Sequence, residues 1–255
     1  RRPCPRQGVA SADQVDLGQS SSEGVFRNAL HVAASLALVE ELLPALDRVV
    51  EAVDWRARSV HAGERTEGVA DEGGTRTAGE SCSLTGNAGG GSPGRRVRAL
   101  RGVLASQLDA LGTIAVGDPL AASVRVDAAG YGKAVAARMA ALTGFPFEQS
   151  PLRVGSRDSV DLAGALSDLL ATTGAVLTEL ASNETSPLGH PATRDSVAAA
   201  AAQVAGSGQV SELAARTLTA TPSGALPSLA SNLLMSIDLL AWAGVMLANS
   251  LAGPR

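Results

Sequence analysis

"ALHVAASLALVEELLPALDRVVEAVDWRAR", Ala29 to Arg58, carries the pattern on which the fold turns. Leu36, Val39, Leu43, Leu46, Val50 and Val53 recur at spacings of three and four. That spacing lays one apolar stripe along one face of a helix. Pro44 interrupts it, and proline removes an N–H and crowds the preceding turn, so a bend is expected at "LLPAL". Just upstream stands a polar knot, "GQSSSEG", Gly18 to Gly24. A helix start has unpaired backbone N–H groups and a partial positive charge. One serine there is an N-cap; three with exposed backbone can also hold a carboxylate.

Downstream the helical period returns repeatedly. Arg95 to Leu111 reads as a helix whose basic run "RRVRALR" solvates its start. Ala129 to Gly144 reads as a short helix closed by a C′ glycine. Asp158 to Ser182 is a long helix, apolar on most faces and therefore expected at the centre. Asp195 to Ala205 is an Ala-rich helix, and the last runs from Pro227 to Ala252. No run alternates with period two, so the expected fold class is all-α, a bundle of long helices. "GTIAVGDPLAAS", "FPFEQSP" and "NETSPLGHPATRD" read as connections. The organisation expected is an N-terminal loop over 1–28 with the serine-rich anion turn, a first long helix over 29–60, a flexible Gly-rich insert over 61–94, and a central helical-bundle domain over 95–255.

Composition narrows the function classes. The formal net charge is −4 and aromatic residues make up 2% of the chain. Neither favours nucleic acid as a partner, because phosphate backbones demand basic surfaces and single strands demand stacking rings. The two cysteines, Cys4 and Cys82, make no disulfide framework and no metal motif. With no secretory leader pattern in the residues given, a reduced, cytoplasmic chain is the expectation. The chain does not open with Met, and "RRPCPRQG" starts neither a helix nor a strand, so a piece of a longer protein is expected. "LASNLLMSIDLLAWAGVMLANSL", Leu229 to Leu251, is long enough to span a bilayer. Asp238 at its middle makes burial among other helices the better reading, and no membrane partner is expected.

Four blocks, in order, resemble the class II fumarase and aspartase superfamily. "DQVDLGQSSSEGVFRNALHVAASLALVEELLPAL" is similar to its serine signature and following helix, with Asp13, Val15, Gln19, Ser20, Ser21, Phe26, Ala29 and His31 matching. "GTIAVG", Gly112 to Gly117, resembles its Gly-Thr-Ala-Val-Gly turn with one residue inserted. "GYGKAVAARMAALTGFPF" is similar to the helix after that turn. "RDSVDLAGALSDLLATTGAVLTELASNE" resembles its long central helix. The resemblance implies a fumarase-type helical bundle. It implies a lyase that adds or removes water or ammonia across a fumarate-type double bond, with fumarate hydratase the most similar. It implies a small dicarboxylate such as fumarate as ligand, no cofactor and no metal, and a homotetramer.

The same resemblance assigns residues. Ser20, Ser21 and Ser22 would receive a substrate carboxylate, Ser22 standing where the family has Asn, and Thr113 joins them on the substrate side. Ser186 stands in the place of the catalytic base; His190 is a candidate acid or base through the chemistry of imidazole and not through the resemblance, with a solvated loop histidine as the other reading. His31 is expected to be structural, and His61 a solvated helix end. Three departures stand beside these matches. "GERTEG", Gly63 to Gly68, echoes the family's Gly-Arg-Thr-His motif without its His. "NETSPLGHPATRDS", Asn183 to Ser196, stands for the Ser-containing catalytic loop without its Lys. Ala121, Ala122 and Ser123 replace the Asn that follows the turn. Two readings stay open: an active lyase, or an impaired or inactive paralogue or fragment that keeps the helical scaffold as an interaction subunit.

Overall fold

Pro44 decides how the first long helix is built. In the computed structural model, which describes residues 22–66, 93–114, 128–150, 156–182, 191–218 and 222–252, helix α1 (Ser22–Ala37) runs into a five-residue π turn (Leu38–Leu42) and continues as α2 (Leu43–Thr66). The Leu43 N–H reaches back to the carbonyl of Leu38, one residue further than in an α-helix. The widened turn lies just ahead of the proline, where a ring would otherwise press on the preceding carbonyls. The disturbance expected at Pro44 is thus a widened turn and not a break. It also shifts the phase of the stripe. Leu43, Leu46 and Val53 are buried as expected, but Val39 is exposed, and Leu30, Ala34, Leu38 and Leu42 take the buried side upstream.

The remaining elements are α3 (Pro93–Ser106), a short α4 (Leu108–Leu111), β1 (Thr113–Ile114), α5 (Ala128–Thr143), β2 (Glu148–Gln149), α6 (Ser156–Ser182), α7 (Pro191–Leu218) and α8 (Pro222–Ala252). Several expectations need correction. Residues 22–28 and 61–66 are helical, not loop. The helix expected over 95–111 breaks at Gln107 into α3 and α4. The helix expected at 195–205 extends from Pro191 to Leu218, since Val204 and Ser211 are buried on one face and tertiary packing outweighs Gly206 and Gly208. Pro191 opens that helix, where a missing N–H costs nothing. "FPFEQSP" holds β2, which pairs in parallel with β1, Thr113 opposite Glu148 and Ile114 opposite Gln149. The C′ glycine is confirmed: Gly144 has φ +73°, and its N–H bonds the carbonyl of Ala140.

Helix α8 is the hub. It packs on α1, the π turn, α2, α6 and α7, and one apolar core joins them around Leu38, Leu42, Leu46, Leu166, Leu177 and Ile237. Three helical stretches, Gly24–Ser59, Ser159–Ser182 and Leu226–Ala252, are long and apolar enough to cross a membrane by length and composition. Half of each is buried inside the bundle. Ion pairs Arg101–Asp47 and Arg98–Asp54 tie α3 to α2, and Arg96–Glu179 ties it to α6. A second, small core of Ile114, Ala136 and Phe147 seats α5 on the β1–β2 pair.

Close approach of α6 to α7 depends on Gly174. A Cβ there would lie 3.1 Å from the Cβ of Ala201, tighter than ordinary contact. Gly174→Leu is therefore expected to force the helices apart and cost about 1–3 kcal/mol in urea denaturation. Ala165→Leu, on the exposed face of the same helix, should leave the midpoint near that of the parent chain.

Candidate functional site

Helix α1 brings two polar side chains, His31 and Ser35, into the apolar interior. His31, 6% exposed, sits on the buried face of α1. Its Nδ1 is 3.2 Å from the carbonyl oxygen of Thr113 on β1, and its Nε2 is 3.3 Å from Oγ of Ser159 in the first turns of α6. A carbonyl only accepts, so Nδ1 carries the proton. The neutral ring then leaves Nε2 as an acceptor, and the Ser159 hydroxyl, 2% exposed, donates to it. Ser35 completes the cluster by donating from Oγ to the His31 carbonyl at 2.8 Å. One imidazole thus links α1, β1 and α6.

The turn around Gly112 is built for this contact. Glu148 N–H donates to the Gly112 carbonyl at 2.9 Å and Ser150 N–H to the Ile114 carbonyl at 2.8 Å. A Cβ at Gly112 would meet the carbonyls of Leu108 and Pro146 at 3.1 Å, so a side chain there would press the two loops apart by a few tenths of an ångström. Thr113 itself donates from Oγ1 to the Asp109 carbonyl at 3.1 Å. Its hydroxyl is engaged locally, and its backbone carbonyl does the long-range work.

Of the residues expected at a site, Thr113 is described and stands beside His31. Ser22, the last serine of the knot, opens α1. Ser20, Ser21, Ser186 and His190 lie outside the described residues, as do Cys4 and Cys82. His31 has the structural placement expected of it. Ser159 was not singled out from sequence: its partner lies 128 residues away, and no local pattern marks the pair. Among the described residues, no group of three or more His, Cys, Asp or Glu side chains is arranged to hold a metal ion.

A bundle of long helices with a small β1–β2 pair at its side is also the fold of solved fumarate lyase structures. The fumarate lyase:delta crystallin of Brucella melitensis in its native form superposes with a TM-score of 0.59 at 17% identity, over 94% of this chain and 58% of that one. Its cobalt-bound form gives the same score and identity over 99% and 59%. In sequence, the chain is 32% identical over 171 residues to the class II fumarate hydratase of Chromobacterium violaceum. That match takes in 66% of this chain and 35% of the relative, so the chain spans about a third of the curated relative it matches. No family model matches the chain.

Burial of His31 sets a pH dependence. Desolvation pushes its pKa below the ordinary imidazole value, and the charge of Arg27 pushes the same way; carbonyls of Thr113 and Leu111 oppose them. The unfolded chain therefore takes up the proton first. Stability is expected to hold above pH 6.5, fall as pH drops below that ordinary value, and level off once the folded-state pKa is passed. Urea midpoints over a pH series check this. His31→Leu should lose about 1–3 kcal/mol at neutral pH, by leaving Thr113 and Ser159 unpaired, and should flatten the decline. An unchanged acid slope in that variant would assign the decline to other groups.

Proposed function

We propose that the chain is part of a lyase that adds or removes water, or ammonia, across the double bond of a fumarate-type dicarboxylate, most like a fumarate hydratase. The observation that carries this reading is the 32% identity over 171 residues to a class II fumarate hydratase, in a chain with a fumarate lyase fold. The start of α1 at Ser22 supports it: the positive end of a long helix favours a carboxylate, and Ser20 and Ser21 are the two residues that precede Ser22 in sequence.

In such a reaction a base removes a proton from the carbon beside a carboxylate, and negative charge builds on that carboxylate's oxygens. Hydroxyls and backbone N–H groups at the helix start stabilise that charge where it develops. Ser186 is the base in this reading, and His190 protonates the departing hydroxide or ammonia. Thr113 serves through its turn, because its hydroxyl already donates to Asp109. The assembly proposed is a homotetramer. Met235 and Trp242 support it, two large apolar side chains seven residues apart that α8 leaves exposed.

Fumarate absorbs in the ultraviolet, so its loss reports the reaction directly. Loss without ammonia is expected from the folded, oligomeric protein. Ser20→Ala with Ser21→Ala should raise KM for fumarate about tenfold, the scale of one or two charge-assisted hydrogen bonds. Loss only with ammonia would move the activity to an aspartase. No loss from protein shown to be folded would sink activity on fumarate and favour a retained scaffold. Light scattering tests the assembly, and a monodisperse monomer would exclude the tetramer.

A further inference from the structure

A cleft of about 1150 Å³ lies between α2 and the C-terminal end of α8 and shares no residue with the His31 cluster. Its walls carry Arg48, Glu51, Trp55 and Arg58 from α2 and Asn249 from α8. Ala52 and Ala248 are buried beneath them and make an apolar floor. Arg48 and Arg58 stand about 15 Å apart along the helix axis, with Trp55 between them. The other flank of α2 is spoken for: Asp47 and Asp54 pair with Arg101 and Arg98 of α3. Among the described residues, neither Arg48 nor Arg58 takes part in an ion pair. Trp55 is 49% exposed, a large ring held open beside two guanidinium groups.

These parts select a ligand by chemistry. An exposed indole offers a face for a flat ring, and an unpaired guanidinium at either end offers a fork of donors for a phosphate. Glu51 cuts the excess positive charge to one, and the C-terminal end of α8 adds partial negative charge. A singly phosphorylated ligand fits that balance better than a di- or triphosphate. The Glu51 carboxylate only accepts, so it favours a ring edge that presents N–H donors. We propose that the cleft binds a purine nucleoside monophosphate of the guanine type, its ring on Trp55, its ring N–H groups donating to Glu51, and its phosphate on Arg48 or Arg58. This site stands apart from the dicarboxylate reading and does not depend on it.

Calorimetric titration of the intact chain with guanosine monophosphate tests the site. Saturable binding is expected, weaker for adenosine monophosphate and much weaker for inorganic phosphate or guanosine alone. Trp55→Ala should weaken it about tenfold or more, the scale of one lost ring stack. Trp55→Phe should retain most of it, and Leu142→Ala, exposed on α5 outside the cleft, should change nothing. Glu51→Gln should abolish the preference for guanine over adenine. All these side chains are exposed, so the variants keep the fold. Absence of saturable binding would overturn the proposal. So would inorganic phosphate binding as tightly as the nucleotide, or Trp55→Ala binding unchanged; either would reduce the cleft to a simple anion site.

Discussion

Everything in this bundle rests on the burial of α8. Along the helix Leu226, Leu229, Leu233, Ile237, Leu240 and Leu247 are buried, and they face four other helices at once. An apolar face of that length has no stable place in water unless neighbours cover it. α2 and α7 cover it most extensively, then α6 and α1. The small residues set how closely they come. Gly174 admits α7 at Ala201, and Gly244 lets α8 approach Ala45 with a would-be Cβ 3.3 Å away. The polar groups inside obey the same economy of space. Ser167, Thr173, Ser211 and Ser236 each donate to the carbonyl four residues back on their own helix, so they occupy core positions without needing a distant partner.

His31 is the exception, and this makes it informative. Among the described residues, it and its partner Ser159 are buried side chains whose polar contacts reach other elements, His31 touching both Thr113 and Ser159. Its ring fixes the β1 turn and the first turns of α6 against α1. The serine-bearing start of α1 and the Gly-Thr turn thus belong to one framework through a neutral imidazole, not through the apolar core alone.

Periodicity made the long helices legible, because their buried faces repeat at three and four residues and little else competes. The positive-φ Gly144 was equally legible, since few residues other than glycine close a helix in that way. The errors have physical causes. The helix expected to end at Ala205 runs on through Gly206 and Gly208, because packing on one face of α7 carries it past them. β1 and β2 are two residues each, too short for any alternation to show. Val39 was assigned to the core because a period read through Pro44 assumes an unbroken α-helix. The candidate site was legible only where the serine knot and the Gly-Thr turn kept a recognisable order. The Ser159 contact, made across 128 residues, leaves no trace in local sequence.

The π turn at Leu38–Leu42 has one more meaning. It stores a surplus residue: the helix holds one more amino acid there than its length as a regular α-helix would require. Each residue turns an α-helix by about 100°. Upstream and downstream faces of this helix are therefore rotated against each other by that surplus, so His31 looks toward Thr113 while Leu46 looks into the bundle. Removing a residue from the wide turn would restore regular winding at Pro44's expense and swing one end of the helix away from its partners. Adding or losing a residue elsewhere in α1 could be absorbed at this point, which makes it the helix's place for adjustment in length.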